Sequence, residues 1–170
     1  AKYPQFISYK NSYKLDDFVA GVDYQGGISI EGVNLVGSGV AGEPAELEIF
    51  SSDTLRVRAR SHRILMNGRF IRSPKTEVYI FIGKDSIFHP DLIMDYDVAQ
   101  EQLRLSKSED FTSQGPYSNT YHNIDMNFDE LLWRRGENLM KFQAQLGSSI
   151  GRATFESNTF FNYDFFMGLQ

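Results

Sequence analysis

The chain has 170 residues, enough for one sizeable core, and 17 basic against 22 acidic side chains give a formal net charge of −5. That balance disfavours a nucleic-acid binder, which normally carries a basic face. The lack of cysteine excludes disulfides, thiolate metal sites and cysteine nucleophiles, and no apolar run approaches the roughly 18 residues of a membrane-spanning helix.

Residues 1–25 are rich in Tyr and Phe and only weakly patterned. The start Ala1-Lys2-Tyr3-Pro4 does not read as a natural one, so a processed or excised part of a longer protein is expected. Six glycines between Gly26 and Gly42 predict short strands with tight turns. From Gly27 to Leu105 the apolar residues recur every second position: Ile28/Ile30, Leu47/Ile49, Leu55/Val57/Ala59, Val78/Ile80/Ile82, Leu92/Met94/Tyr96 and Leu103/Leu105. Successive side chains of a strand point to opposite faces, so this spacing describes half-buried strands with one wet face.

Two hairpins can be drawn with a register. A three-residue loop Ser51-Ser52-Asp53 sets Ile49 against Leu55 and Leu47 against Val57, with Glu48 facing Arg56 and Glu46 facing Arg58. An even loop would set Ile49 against Arg56, an apolar face against a charged one. A turn centred on Ala99-Gln100 pairs Tyr96 with Leu103, Met94 with Leu105, and Asp95 with Arg104. Between them Val78–Ile82 ends at Gly83-Lys84-Asp85, and Pro90 interrupts a ladder. Residues 106–123 read as loop. Ile124/Met126/Phe128 and Met140/Phe142/Ala144/Leu146 read as strands, while Phe128, Leu131 and Leu132 also fit a helical turn, so at most one short helix is expected near 129–135. The aromatic run Phe155, Phe160, Phe161, Tyr163, Phe165 and Phe166 either docks as a last strand or meets sequence outside this chain.

The pattern predicts an all-β, mainly antiparallel two-layer sandwich spanning 1–170 as one domain, with an open solenoid-like stack as the runner-up. Four candidate sites follow from residue types. Gly37-Ser38-Gly39-Val40-Ala41-Gly42 is a literal GxGxxG, but no helix pattern follows it. The position about 20 residues on, where an acidic group is needed, holds Arg60-Ser61-His62-Arg63. Arg56, Arg58 and Arg60 form a basic row with Arg63 nearby, able to hold an anion or an acidic partner, though Glu46 and Glu48 are placed to neutralise part of it. Asp91, Asp95 and Asp97 share a strand face and are candidate calcium ligands; His62, His89 and His122 have no ligand spacing. Trp133, Tyr117, Tyr121 and Asn119 have the composition of a sugar-binding surface, where aromatic rings stack on sugars and amides supply hydrogen bonds. No nucleophile with a supporting base is recognisable, which sets the expectation at no catalysis and no cofactor.

Several strings carry a resemblance. Gly26-Gly27-Ile28-Ser29-Ile30-Glu31-Gly32 with Gly37-Ser38-Gly39, Asp85–Leu92, Tyr121–Met126 and Phe155-Glu156-Ser157-Asn158 resemble segments of very large, β-rich, uncharacterised cell-envelope proteins of Gram-negative bacteria. The resemblance implies an exported module, in the periplasm or at the cell surface, with an architectural role. Its partners would be neighbouring domains, another envelope protein or a polysaccharide. A carbohydrate-binding module is the alternative, and an enzyme with a metal or nucleotide site a more distant one.

Overall fold

The computed structural model describes residues 5–109, 111–120, 123–143 and 154–157. The chain is almost entirely antiparallel strand. In order these are β1 (Gln5–Val19), β2 (Val22–Glu31), β3 (Asn34–Ser38), β4 (Ala45–Ser51), β5 (Thr54–Ser61), β6 (Arg63–Met66) and β7 (Phe70–Ile82). They continue as β8 (Asp85–Asp97), β9 (Gln102–Ser106), β10 (Tyr117–Asn119), β11 (Ile124–Asn127), β12 (Glu130–Arg134), β13 (Met140–Gln143) and β14 (Thr154–Ser157). A 3-10 turn, Phe111–Gln114, stands before β10.

All the strands belong to one hydrogen-bonded network, and three long strands turn it into two layers. Strand β2 pairs with β4 through Val22–Gln25 and with β3 through Gly27–Glu31. Strand β7 pairs with β6 through Ile71 and Arg72, and with β5 through Glu77–Ile80. Strand β8 pairs with β10 at its start and with β9 at its end. One layer is therefore β2-β4-β5-β7-β8-β10-β11-β14, the other β2-β3-β6-β7-β8-β9-β12-β13. The expected sandwich is built from one sheet whose long strands cross between layers, the way orthogonally packed sheets make their corners.

The corner in β7 and β8 has a readable cause. Ser73 pairs with Met94, Thr76 with Leu92 and Val78 with His89. Strand β7 thus carries one extra residue before Thr76, and β8 one extra residue before Leu92. Pro74 lies in the first bulge and Pro90 in the second, where neither has to donate to the ladder. The bulges cancel in register, and the burial pattern shifts phase in both strands. Ile71, Ser73, Thr76, Val78 and Ile80 are buried along β7, and Ile87, His89, Leu92, Met94 and Tyr96 along β8.

One contiguous core fills the space between the layers. Val22, Tyr24, Leu47, Ile49, Val57, Ala59, Val78 and Ile80 come from the first layer. In the second, Trp133, Leu103, Tyr96, Ile71 and Met66 form one row across five strands, all 3% exposed or less. Burying a side chain of this size contributes about 1.5–3 kcal/mol. That gain decides the ambiguous segment: Glu130–Arg134 is a strand, paired with β9 on one side and β13 on the other. A helix of five to seven residues is unstable alone and would take Leu131 and Trp133 out of their rows. The 98–101 turn holds as read, with Tyr96–Leu103, Met94–Leu105 and Asp95–Arg104 in register.

The β4–β5 hairpin corrects the sequence reading. Ser52 and Asp53, with φ of 50° and 59°, make a two-residue turn of the kind that suits hairpin twist. Ser51 pairs with Thr54, Phe50 with Leu55 and Ile49 with Val57, leaving Arg56 as the extra residue of a bulge. An even loop is compatible with an apolar register because the bulge restores the phase. The charged pairs move accordingly: Glu48 faces Arg58 and Glu46 faces Arg60.

The layer change in β2 also depends on close approach. Tyr24 reaches across the layers, and its hydroxyl donates to Gly27 O at 2.6 Å. Burial pushes this phenol up to about 12, so it remains a donor. A Cβ on Gly37 would lie 2.6 Å from Tyr24 Oη and 2.7 Å from its ring. Gly37→Ala should therefore cost about 1–3 kcal/mol by overpacking, read from urea unfolding; an unchanged midpoint would contradict this packing.

Candidate functional site

The four residues of the basic row have different fates. Arg58 sits 2.7 Å from Glu48 and 3.7 Å from Glu46. Arg60 is held by Glu77 at 3.3 Å, Glu43 at 3.7 Å and Glu46 at 3.8 Å. Arg63 is exposed on β6. Arg56 is half-buried, and among the described residues it has no carboxylate partner. The bulge explains the difference: an extra residue drops out of the ladder, so its side chain is re-aimed away from the outer row.

That side chain lines the mouth between the layers. A cavity of about 210 Å³ is bounded there by Arg56, Ile82, Trp133, Glu137, Asn138, Met140 and Phe142. Trp133 and Leu131 face inward from β12, and the β12–β13 register sets Met140 opposite Trp133 and Phe142 opposite Leu131. Trp133 is 3% exposed and its indole N–H donates to Glu137 O at 2.9 Å, which fixes the ring as the floor. Phe142 packs on Phe128 with ring centres 4.6 Å apart, yet stays 39% exposed at the rim. Ile82, at 47%, and Leu139, at 74%, continue the apolar surface. Glu137 is 3.9 Å from Arg134. The site therefore offers one uncompensated guanidinium, a carboxylate, an amide and an aromatic wall.

The other candidate residues do not join it. Tyr117 is buried, stacked on Phe128 at 3.8 Å and tilted against His89 at 4.7 Å. Burial, with Asp129 and Glu130 nearby, raises its phenol well above the usual range. Asn119 contacts Met126 Sδ at 3.8 Å, and Tyr121 lies outside the described residues. Of the three proposed sugar-contacting residues that the structure describes, only Trp133 lines the mouth, and at 3% exposed it is a floor where the sequence reading needs an exposed ring. A second cavity, of about 430 Å³, has Arg60 with Glu43 and Glu46 in its lining, and that cation is already neutralised.

The three aspartates are also separated. Asp91 is buried, accepts a hydrogen bond from Thr112 and lies 3.5 Å from Lys75. Asp95 takes Arg72 at 3.1 Å, while Arg104, its cross-strand neighbour, turns to Glu130. Asp97 accepts the Gln100 N–H at 2.9 Å and closes the turn. No trio of His, Asp or Glu among the described residues is arranged to hold a metal ion. The GxGxxG string forms no nucleotide loop. Val40 and Glu43 exchange backbone bonds of 2.9 and 3.0 Å around Ala41 and Gly42, both at positive φ, so it is a hairpin turn.

His89 serves the corner. Its Nδ1 accepts the Asp91 N–H at 3.1 Å, so Nε2 carries the proton and donates to Gly115 O at 3.1 Å. Burial, helped by Lys107, holds its pKa below 6.5 despite the nearby Asp91. His62 is exposed, and His122 lies outside the described residues. The aromatic run from Phe160 onward lies outside them as well. Among the described residues no helix is long and apolar enough to cross a membrane.

No protein-family model and no curated protein matches the chain.

The His89 geometry gives a signed pH dependence. The folded state holds the ring neutral, so as pH falls below about 6.5 the unfolded chain takes up the proton first. Stability should decline from there towards the lower folded pKa. Urea midpoints between about pH 7.5 and 5 should fall more steeply for the native chain than for His89→Gln; parallel curves would contradict a neutral, buried His89.

Proposed function

We propose that the chain is a non-catalytic interaction module of a large exported envelope protein, docking its partner through the open end of the sandwich. The observation that carries this reading is Arg56, a half-buried cation with no carboxylate partner among the described residues, set in a mouth rimmed by exposed Ile82 and Phe142. Exposed Leu139 stands between the lining residues Asn138 and Met140 in sequence. Apolar side chains grouped around an uncompensated charge suit a docking surface better than bare solvent. Strand β13 forms the rim, and among the described strands it stands last in its layer.

Most of the other candidate polar residues that the structure describes are committed to the fold. Arg58 and Arg60 are neutralised, Asp95 and Asp97 serve a salt bridge and a turn, and His89 and Asp91 sit inside the corner. The envelope setting rests on the resemblance of the sequence strings. A sugar-binding role is the second reading, favoured by the presence of Trp133, Phe142 and Arg56 in one cavity.

Trp133 is the only tryptophan, so its emission reports directly on the mouth. Titrating the chain with its flanking domains and with neutral and acidic polysaccharides should shift that emission for one partner and leave the partner covalently unchanged by mass spectrometry. Leu139→Ser should weaken the shift. Product formation would make the protein an enzyme, and constant emission across all additions would remove the docking role from this end.

A further inference from the structure

Resting on the docking reading, we infer that the mouth takes a carboxylate-bearing sugar unit, a uronate residue of an acidic polysaccharide. Arg56 supplies the anchor. A guanidinium presents a planar fork of donors that matches a carboxylate with two parallel hydrogen bonds. Arg58, Arg60, Arg72, Arg104, Arg134 and Arg135 each already hold a carboxylate. Arg63 and Arg69 lack a carboxylate among the described residues, but both are exposed and neither lines this cavity. Among the described arginines, Arg56 alone combines the lack of a carboxylate with partial burial, where a charge-assisted bond is strong.

The rest of the lining selects the sugar over other carboxylates. Glu137 and Asn138 stand in the same cavity. Glu137, exposed and 3.9 Å from Arg134, accepts hydrogen bonds and gives none, so it favours a ligand rich in donors. Sugar hydroxyls meet that need, whereas the ionised side chain of an acidic residue is itself acceptor-only. The apolar face of a pyranose ring matches the exposed Phe142 ring and the Met140 side chain, over a floor made by Trp133. At about 210 Å³ the cavity is smaller than the roughly 300–1,000 Å³ of drug-sized pockets. It therefore admits one ring of a chain that continues outward over Leu139 and Ile82.

The test uses the 170-residue chain, with short oligomers of galacturonate as probe and matched galactose oligomers and oligo-glutamate as controls. Galacturonate should shift Trp133 emission saturably, galactose should not, and Arg56→Gln should weaken binding about tenfold or more, as the loss of a charged hydrogen-bond pair does. Arg56 makes no ion pair among the described residues, so this variant should melt as the native chain does. If it does not, Phe142→Ala serves in its place and should weaken binding with the anchor intact. No response to galacturonate, or unchanged affinity in both variants, overturns the sugar assignment. A response to oligo-glutamate alone overturns it in favour of an acidic protein segment. In either case, a shift with a flanking domain that Leu139→Ser weakens would keep the docking role and retire only the uronate.

Discussion

A proline in a ladder has no N–H to give its neighbour, and two prolines flank the Thr76–Leu92 pair at the centre of the longest hairpin. Each is accommodated by one extra residue, first in β7 and then in β8. The paired bulges bend the hairpin without destroying its register, and this bend makes two layers from one sheet. The half of β7 and β8 on one side carries β5 and β10; the other half carries β6 and β9. The bulged backbone leaves carbonyl groups to be satisfied inside. Ser61 therefore donates to Lys75 O at 2.6 Å, and Ser73 reaches Ser61 at 2.8 Å. That requirement accounts for the burial of Ser61 and Ser73 at the corner.

The same device at smaller scale makes the candidate site. A single extra residue in β5 breaks the alternation that would have placed Arg56 beside Arg58 and Arg60. In the register of a three-residue loop it would have met Glu48 and become one more surface ion pair, worth little. Displaced by the bulge, it borders an apolar cavity with no carboxylate to meet it among the described residues. A local irregularity that keeps the core in phase thus frees one cation for another use.

Much of the fold was legible because its signal is short-ranged. Alternation at Leu47/Ile49, Val78/Ile80 and Leu92/Met94/Tyr96 marked strands and their inner faces, and the 98–101 turn fixed one register outright. Bulges were not legible, because nothing in Ser51-Ser52-Asp53-Thr54-Leu55-Arg56 distinguishes a two-residue turn plus a bulge from a three-residue loop. The site suffered most from this gap. Trp133 and Arg56 were both singled out, but separately, one as a sugar platform with Tyr117 and the other as part of a neutralised row. Their meeting depends on β12 packing over the end of β5, a long-range event. Met140 and Phe142 were visible as strand residues, and only the hairpin register from Glu130–Gln143 to Trp133–Met140 turns them towards the mouth.

The central claim is that Arg56 is the bulged residue of β5. Cross-strand nuclear Overhauser contacts between backbone protons test it most directly, since they report which residues stand opposite one another. The account predicts contacts pairing Ile49 with Val57 and Phe50 with Leu55, with Arg56 lacking a partner of its own. Contacts pairing Ile49 with Leu55 and Glu48 with Arg56 would place Arg56 in the outer row, and would remove both the free cation and the site built on it.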